Sequence, residues 1–282
     1  MTTTTASAAL HPSPERRASS WLRIRAIARR HWYVVRRSPH RLFDVTVWPI
    51  VDVLLYGSLG TFFAQAEGGT LGRTTFGYLM AGVLLWHVVY SGQISLSTGF
   101  LEEAWSRNML NLMVTPLREW EYVAGVVLLG FAKLAAGVTI VALVALGLFA
   151  FDITDLGWTL APVAAVLLLT GWVIALFVIG LVLRFGAGAE ALAWGVLFVM
   201  LPLSGVFYPI DALPGMLQPI ARVLPTTHAF AASRSVLDGG GMPWGQLGMA
   251  ALATVGLAVV GLVWVVAMLR VFRKRGYVTR YS

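Results

Sequence analysis

The sequence predicts an all-α polytopic membrane protein with six transmembrane helices and both termini in the cytosol. The first observation is composition: 58% of the 282 residues are hydrophobic and only 12% are charged, about half the charged fraction of a soluble domain. The second is a series of apolar stretches long enough to cross a bilayer. The third is the concentration of arginine near the two ends of the chain, which marks the cytosolic side.

Composition also excludes several classes of function. The chain has no cysteine, which rules out a disulfide framework, cysteine-ligated zinc and thiol catalysis. His87 lies in a predicted span without a second histidine or carboxylate four residues away, so we expect no metal site. The net charge of +8 comes largely from arginines beside the membrane. It indicates contact with anionic membrane lipid and no binding of nucleic acid.

The N-terminal region divides into two parts. Residues 1–20 are rich in threonine and are predicted to be a disordered cytosolic tail. In residues 21–40, apolar residues such as Trp21, Ile24 and Trp32 recur at helical spacing with arginines between them. This pattern predicts an amphipathic helix in the headgroup plane. The alternative is an ordinary solvated basic helix, which the two tryptophans and the adjacent span disfavour.

The remaining residues, 41–282, are predicted to form one transmembrane domain. Two ionisable side chains, Asp52 and Lys133, fall inside predicted spans, where charged groups are costly and often functional. Asp52 lies close to the cytosolic end of its span, so a structural contact with interfacial arginines is at least as well supported as a substrate or proton site. The predicted spans are residues 45–66, 76–98, 122–150, 160–183, 191–202 and 246–269.

The most polar internal segment lies between the second and third spans. Leu101, Trp105, Met109 and Leu112 form one helical stripe, which predicts a short amphipathic helix on the cytosolic side over residues 101–116. Proline at its end disfavours further helix. The segment is either a surface connection between two spans or a docking element for another protein, and composition does not choose between these alternatives.

The fifth span is interrupted. Pro202, Gly205, Pro209 and Pro214 follow one another within thirteen residues, and such residues end helices. Non-helical backbone at membrane depth is tolerated only where protein or water satisfies its polar groups. The sequence therefore predicts a re-entrant helical hairpin over residues 202–238, on the outer side of the membrane, with one helix over residues 213–224 and a second ending near residue 238.

The chain carries no motif for binding ATP. A phosphate-binding loop and a dinucleotide fingerprint are both absent from the sequence, so uphill transport would draw energy from an ion gradient or from a partner. Gradient-driven carriers usually have several intramembrane carboxylates and two matching broken helices. This chain has one carboxylate in a predicted span and one broken helix, which favours a partner protein as the source of energy. The alternatives are an ion-gradient-driven secondary carrier that uses Asp52 and Lys133, and a membrane-embedded enzyme or scaffold.

Two segments carry a family resemblance. Residues 108–121, NMLNLMVTPLREWE, resemble the segment between spans of ABC-2 type transporter permeases. Residues 204–209, SGVFYP, and 224–230, LPTTHAF, followed by Arg234, resemble the second hallmark of that family. Together with the predicted topology, the resemblance extends from Trp21 to the end of the chain. The hairpin is most similar to the drug and lipo-oligosaccharide exporter branch.

The resemblance implies a transport subunit and no enzyme activity of its own. Two permeases, identical or paralogous, would form the path as a homodimer or heterodimer, and cytosolic ABC ATPase subunits would bind ATP and Mg²⁺; this chain would bind no cofactor. The substrate would be a hydrophobic or amphipathic molecule such as a drug, a lipid or a lipid-linked glycan. The location would be the plasma or inner membrane of a bacterial cell.

The resemblance also implies roles for named residues, in two groups. The residues implied to couple the permease to the ATPase are Glu103, Trp105, Arg107, Asn108, Leu112, Thr115 and Pro116. The residues implied to shape the outer gate are Pro202, Ser204, Gly205, Phe207, Tyr208, Pro209, Pro214, Pro225, Thr226 and His228.

Overall fold

The computed structural model describes residues 19–67, 69–105, 118–152 and 157–274. Within these ranges the chain forms nine α-helices and three short 3₁₀ turns, and contains no strand. The helices are α1 (Ser20–Arg37), α2 (Pro39–Glu67), α3 (Gly69–Trp105), α4 (Glu119–Phe149), α5 (Ala161–Phe185), α6 (Glu190–Leu203), α7 (Gln218–Val223), α8 (Pro225–Leu237) and α9 (Trp244–Lys274).

Five of the described helices are long and apolar enough to cross a membrane, which confirms the all-α, multi-pass class. The candidate spans are Thr46–Ala66, Thr74–Glu102, Trp120–Phe149, Trp158–Phe185 and Trp244–Phe272, and each overlaps a span predicted from the sequence. The count of six spans and the cytosolic position of both termini stay predictions.

The predicted fifth span is a helix too short to cross the hydrocarbon core by itself. α6 has 14 residues, about 21 Å at the rise of an α-helix, whereas about 20 apolar residues are needed to cross the hydrocarbon core. It ends at Leu203, beside the prolines and glycine that predicted the break. The chain continues as turns and a 3₁₀ segment, Ile210–Ala212, before the next helix begins.

α3 and α5 form the centre of the fold. In their most apolar windows, 72% and 61% of the residues are buried, against 17% for α9, so the other spans surround this pair. Gly171 of α5 lies against the backbone of α3: a Cβ atom there would approach the Val89 carbonyl oxygen to 2.5 Å. Small residues let membrane helices approach closely, which strengthens their van der Waals contact.

Polar side chains attach α9 to α5. The hydroxyl oxygens of Thr170 and Thr254 lie 2.9 Å apart in a buried contact, and the Trp264 indole N–H donates to the Phe177 carbonyl at 3.2 Å. Water-free surroundings leave these groups few other partners. They therefore fix the register of α9 on α5, although most of α9 is exposed.

α1 lies across the beginning of α4. A Cβ atom at Gly125 would approach the Ile27 side chain to 2.6 Å and the Ile24 carbonyl oxygen to 3.0 Å, so this glycine permits the close crossing. Ser38 interrupts the helical path, and Pro39 begins α2 at a position where its missing N–H costs no intrahelical hydrogen bond. Trp21 and Trp32 remain about half exposed, as expected for a helix beside a membrane surface.

The structure differs from the sequence prediction at two boundaries. α3 continues without a break to Trp105, so residues 101–105 extend the second span. The helix predicted over residues 213–224 is only Gln218–Val223, because Pro214 and Gly215 hold the preceding residues in turns.

The approach of α5 to α3 gives a packing prediction. Replacing Gly171 by alanine should destabilise the protein by about 1–3 kcal/mol, because the new methyl group would displace the backbone of α3. Gly248→Ala is the matched control, since a Cβ atom there meets nothing within 4 Å. Thermal unfolding in detergent measures both variants. Equal stability of the Gly171 variant and the control would contradict the close packing.

Candidate gate and ATPase-coupling site

The predicted break is a turn held by its own backbone and side chains. Gly205 adopts a left-handed conformation with φ of 61°, which glycine reaches without the strain that a side chain would cause. The Ser204 N–H still bonds the Met200 carbonyl at 2.8 Å. The Tyr208 hydroxyl reaches back to the Pro202 carbonyl at 2.8 Å. The helix therefore ends while its last carbonyls remain hydrogen-bonded.

Two buried hydroxyls join the end of α6 to the start of α8. The Ser204 Oγ donates to the Met200 carbonyl at 2.6 Å and lies 2.7 Å from the Thr226 hydroxyl oxygen. Because a serine hydroxyl has one proton, Thr226 donates to Ser204. Both side chains are fully buried.

The second arm of the hairpin also provides side-chain donors for carbonyls at the end of α7. The Thr227 hydroxyl donates to the Ala221 carbonyl at 2.6 Å, and the His228 ring donates from Nε2 to the Arg222 carbonyl at 2.9 Å. Both carbonyls belong to α7, whose six residues leave the last carbonyls without intrahelical partners. The sequence Thr-Thr-His therefore closes the end of the preceding helix.

Arg234 connects the two arms across 29 residues of sequence. Its Nη1 donates to the Gly205 carbonyl at 2.5 Å. A charged donor makes a stronger hydrogen bond than a neutral one, and here it meets the residue with the left-handed conformation. Immediately after the last residue of α8, Asp238 accepts a hydrogen bond from the Tyr78 hydroxyl of α3. The hairpin is thus fixed to the central helix.

The hairpin reaches the middle of the neighbouring spans. The Phe207 ring stacks on Tyr56, with ring centroids 4.1 Å apart and planes inclined by 24°. Tyr56 lies ten residues from the start of the span Thr46–Ala66, about 15 Å along the helix. Phe207 also lies over Gly82 of α3, where a Cβ atom would approach its ring to 3.1 Å.

The predicted gate residues fall into three environments. Ser204, Gly205, Pro225 and Thr226 are buried in the joint between the arms. Phe207, Tyr208 and His228 are half-buried, and each makes one of the contacts above. Pro202, Pro209 and Pro214 are exposed, so their rings constrain the backbone conformation and lie outside the buried joint.

The predicted coupling segment lies mostly outside the described residues. Glu103 and Trp105 belong to the last turn of α3. Arg107, Asn108, Leu112, Thr115 and Pro116 fall in residues 106–117, which the structure does not describe.

Two side-chain contacts hold α1 to both flanks of this segment. On the side that precedes it, His31 Nδ1 lies 3.1 Å from Glu102 Oε2. On the side that follows it, Arg23 Nη1 lies 3.1 Å from Glu121 Oε2, and the Glu121 side chain is 0% exposed. The same carboxylate oxygen accepts the Arg118 backbone N–H at 3.0 Å, which caps α4. α1 is therefore attached to α3 and α4 where they enter the predicted coupling region.

The two predicted intramembrane sites occupy separate environments. Lys133 lines a small internal cavity together with His31 and Glu102, so its ammonium group faces the polar cluster beneath α1. Asp52 is half-buried on α2, one helical turn before Tyr56, which carries the stacked contact with the hairpin. Among the described residues, no three metal-ligating side chains are grouped to hold an ion.

Sequence reasoning missed Arg23, His31, Glu102, Glu121 and Arg234 as site residues. A glutamate three residues after a helix start is a recognised capping signal, and Glu121 stands three residues after Arg118. The signal was weak because arginine, and not serine or threonine, occupies the cap position. The partners of the other four residues lie far away in sequence, where no local pattern could reveal them.

Comparison with known proteins agrees with this geometry. Several apolar helices long enough to cross a bilayer define a multi-pass membrane protein. A sequence model described as ABC-2 type transporter matches residues 23–237, well over half of the chain. A comparison with curated proteins gives no match.

The chain belongs to the ABC-2 type transporter family. The matched region begins in α1 and ends with α8, so it contains the interfacial helix, both flanks of the coupling segment and the hairpin. The family's membrane domain is the permease component of an ABC system and not its ATP-binding domain.

The Arg23–Glu121 pair predicts that a substitution of one partner can be compensated by a substitution of the other. Arg23→Ala should lower the melting temperature, because it removes the counterion of the Glu121 carboxylate. Adding Glu121→Gln should recover most of that loss, since the remaining group is then uncharged. Thermal unfolding in detergent measures the series, with Arg36→Ala as the exposed control. A double variant as unstable as Arg23→Ala would contradict the buried pair.

Proposed function

We propose that this chain is the membrane-spanning permease subunit of an ATP-driven ABC exporter. The observation that carries the proposal is the family match over residues 23–237, which includes both regions singled out by the geometry. The permease would form the translocation path as a dimer, and separate cytosolic ATPase subunits would supply the energy. The chain itself would bind neither ATP nor Mg²⁺.

The coupling role of residues 101–116 is supported by what surrounds them. An ATPase that pushed on this segment would act on the ends of α3 and α4 together, and the pairs at Glu102 and Glu121 would carry the movement to α1. Rigid helices and buried ion pairs transmit such displacement when they have two discrete arrangements. α3 is also the central helix that contacts the hairpin, so the same push would reach Phe207.

The gate role of the hairpin is supported by its depth and its contacts. It occupies the middle of the spans without completing a crossing. Its carbonyls are satisfied by side chains of the hairpin itself, so it can keep its internal structure while it moves. Its contacts with the rest of the fold include aromatic stacking on Tyr56 and tilted contact between Trp86 and Phe230, with ring centroids 6.5 Å apart.

The same aromatic surroundings favour a hydrophobic or amphipathic substrate. A path opened beside Phe207 would present the faces of Tyr56 and Trp86 and few charges. Aromatic rings offer large apolar surfaces with a polar edge, which suits drugs, lipids and lipid-linked glycans. A small inorganic ion would find little there to replace its hydration shell.

A second permease copy or paralogue is supported by the uncovered face of α2. Leu54, Leu55 and Leu59 are exposed there and line a shallow depression of about 460 Å³ together with Ser58. The depression carries a hydroxyl group, which gains more from a protein neighbour than from lipid. We therefore assign this face to the dimer contact.

Co-purification tests the proposed function directly. The tagged chain, extracted in a mild detergent from its host membrane, should bring an ATP-binding subunit in equal amount. Leu112→Pro, Glu103→Lys and Arg107→Glu should weaken this association or uncouple ATP hydrolysis from transport, while the protein still inserts. Leu112→Pro breaks the predicted docking helix, and the other two reverse charges on its surface. Asp211→Lys is the control, a charge reversal on the exposed hairpin.

Two outcomes would contradict the proposal. Normal association and coupled transport in all three variants would remove the coupling assignment. A chain that purifies alone and transports in proteoliposomes under an ion gradient would instead be a secondary carrier, and Asp52 and Lys133 would then be the first residues to replace.

The gate can be locked chemically because the chain has no native cysteine. In Tyr56→Cys/Phe207→Cys, a reducible cross-linker should join α2 to the hairpin, since the two native rings are stacked. ATP hydrolysis by the co-purified complex should then fall and recover on reduction, because a fixed gate arrests the transport cycle. Each single cysteine variant, treated identically, is the control. Unchanged hydrolysis in the cross-linked protein would mean that the hairpin does not move during the cycle.

A further inference from the structure

An open groove lies between α1 and α4, away from the hairpin. Its volume is about 1170 Å³, beyond the upper end of ordinary small-molecule sites. One side of α1 forms one wall, and α4 forms the other beyond the point where the helices cross at Gly125. The transport mechanism proposed above makes no use of it.

The wall that α4 provides is apolar. Leu128, Leu129 and Ala132 line it, and all three belong to the candidate span Trp120–Phe149. A groove whose wall is part of a membrane span opens toward hydrocarbon, so a soluble protein domain would not fill it. An acyl chain has the shape and polarity for such a surface.

The wall that α1 provides is cationic. Arg25, Arg29 and Arg30 line the groove, and Leu22 continues the apolar surface between them. The Arg29 guanidinium is oriented by Tyr33: its Nε and Nη2 donate to the phenol oxygen at 3.1 and 3.0 Å. It also lies 5.4 Å from the centre of that ring.

An oriented guanidinium suits a phosphate group. Arginine has five N–H donors in a planar fork, and Tyr33 uses two of them in Arg29. Arginine binds phosphate oxygens in pairs, which a lysine ammonium cannot do. The combination of a cationic rim with an apolar floor matches an amphipathic anion and neither a free phosphate nor a neutral detergent.

We propose that this groove is a binding site for one acidic phospholipid of the leaflet in which α1 lies. The phosphate is held by Arg25 and Arg29, and an acyl chain lies against Leu128 and Ala132. Bound lipid fills the wedge between α1 and α4, so it supports the angle at which α1 crosses the span. The site stands independently of which ATPase or substrate the permease serves.

The test compares two lipids that differ only in the headgroup. The full-length chain in detergent is titrated with phosphatidylglycerol or with phosphatidylcholine of the same acyl chains, and bound lipids are counted by native mass spectrometry. We expect one phosphatidylglycerol to bind before any phosphatidylcholine. In Arg25→Gln/Arg29→Gln this first binding should weaken by about tenfold or more, since the charge-assisted hydrogen bonds to the phosphate are lost.

Two further variants separate a site from general attraction to a basic surface. Arg36→Gln/Arg37→Gln removes the same charge from the same helix outside the groove, and should leave the first binding unchanged. Leu128→Trp leaves every charge in place but fills the apolar wall, and should weaken it. The melting temperature of each variant reports whether the fold is kept.

The proposal is overturned if the two double variants weaken phosphatidylglycerol binding equally, or if Leu128→Trp leaves it unchanged in a folded protein. Equal binding of the two lipids by the native chain would overturn it as well. In each of those cases the arginines act only as a diffuse positive surface.

Discussion

The constraint on which this structure depends is the cost of an unsatisfied backbone group in hydrocarbon. A continuous helix satisfies its own carbonyls, but α6 stops after 14 residues, and the carbonyls at and beyond its end need other donors. The Tyr208 hydroxyl donates to the Pro202 carbonyl of α6, the His228 ring to the Arg222 carbonyl of α7, and the Arg234 guanidinium to the Gly205 carbonyl between them. The polar residues of this segment therefore allow a broken helix to be stable at this depth.

The cost of an unsatisfied polar group applies equally to Glu121, at the beginning of α4. Glu121 is a fully buried carboxylate, and it is stable there because Arg23 and the first turn of α4 both donate to it. The interfacial helix is thus attached by charge as well as by its apolar face. Glu102 and Glu121 flank residues 106–117, the region that the family resemblance assigns to ATPase contact. Both ends of that region are therefore attached to α1.

Sequence patterns predicted much of the fold and few of the side-chain contacts that build the site. Hydrophobic period and length located five spans, and Pro202 and Gly205 located the break, because these signals are local. The contact of Arg234 with Gly205 spans 29 residues and that of Arg23 with Glu121 spans 98, so no window of the sequence contains both partners. Lys133 was singled out only as a costly charge, since its neighbours His31 and Glu102 come from two other helices.

The attachment of α1 has a consequence for the order in which the protein is assembled. α1 is synthesised before any span, yet the carboxylate that fastens its beginning lies 98 residues later in the chain. At ordinary rates of translation that interval is on the order of 5–20 s. The contact with Glu102 becomes available earlier, because Glu102 lies only 71 residues after His31. Docking of α1 is therefore completed in two stages, first at the end of α3 and then at the start of α4.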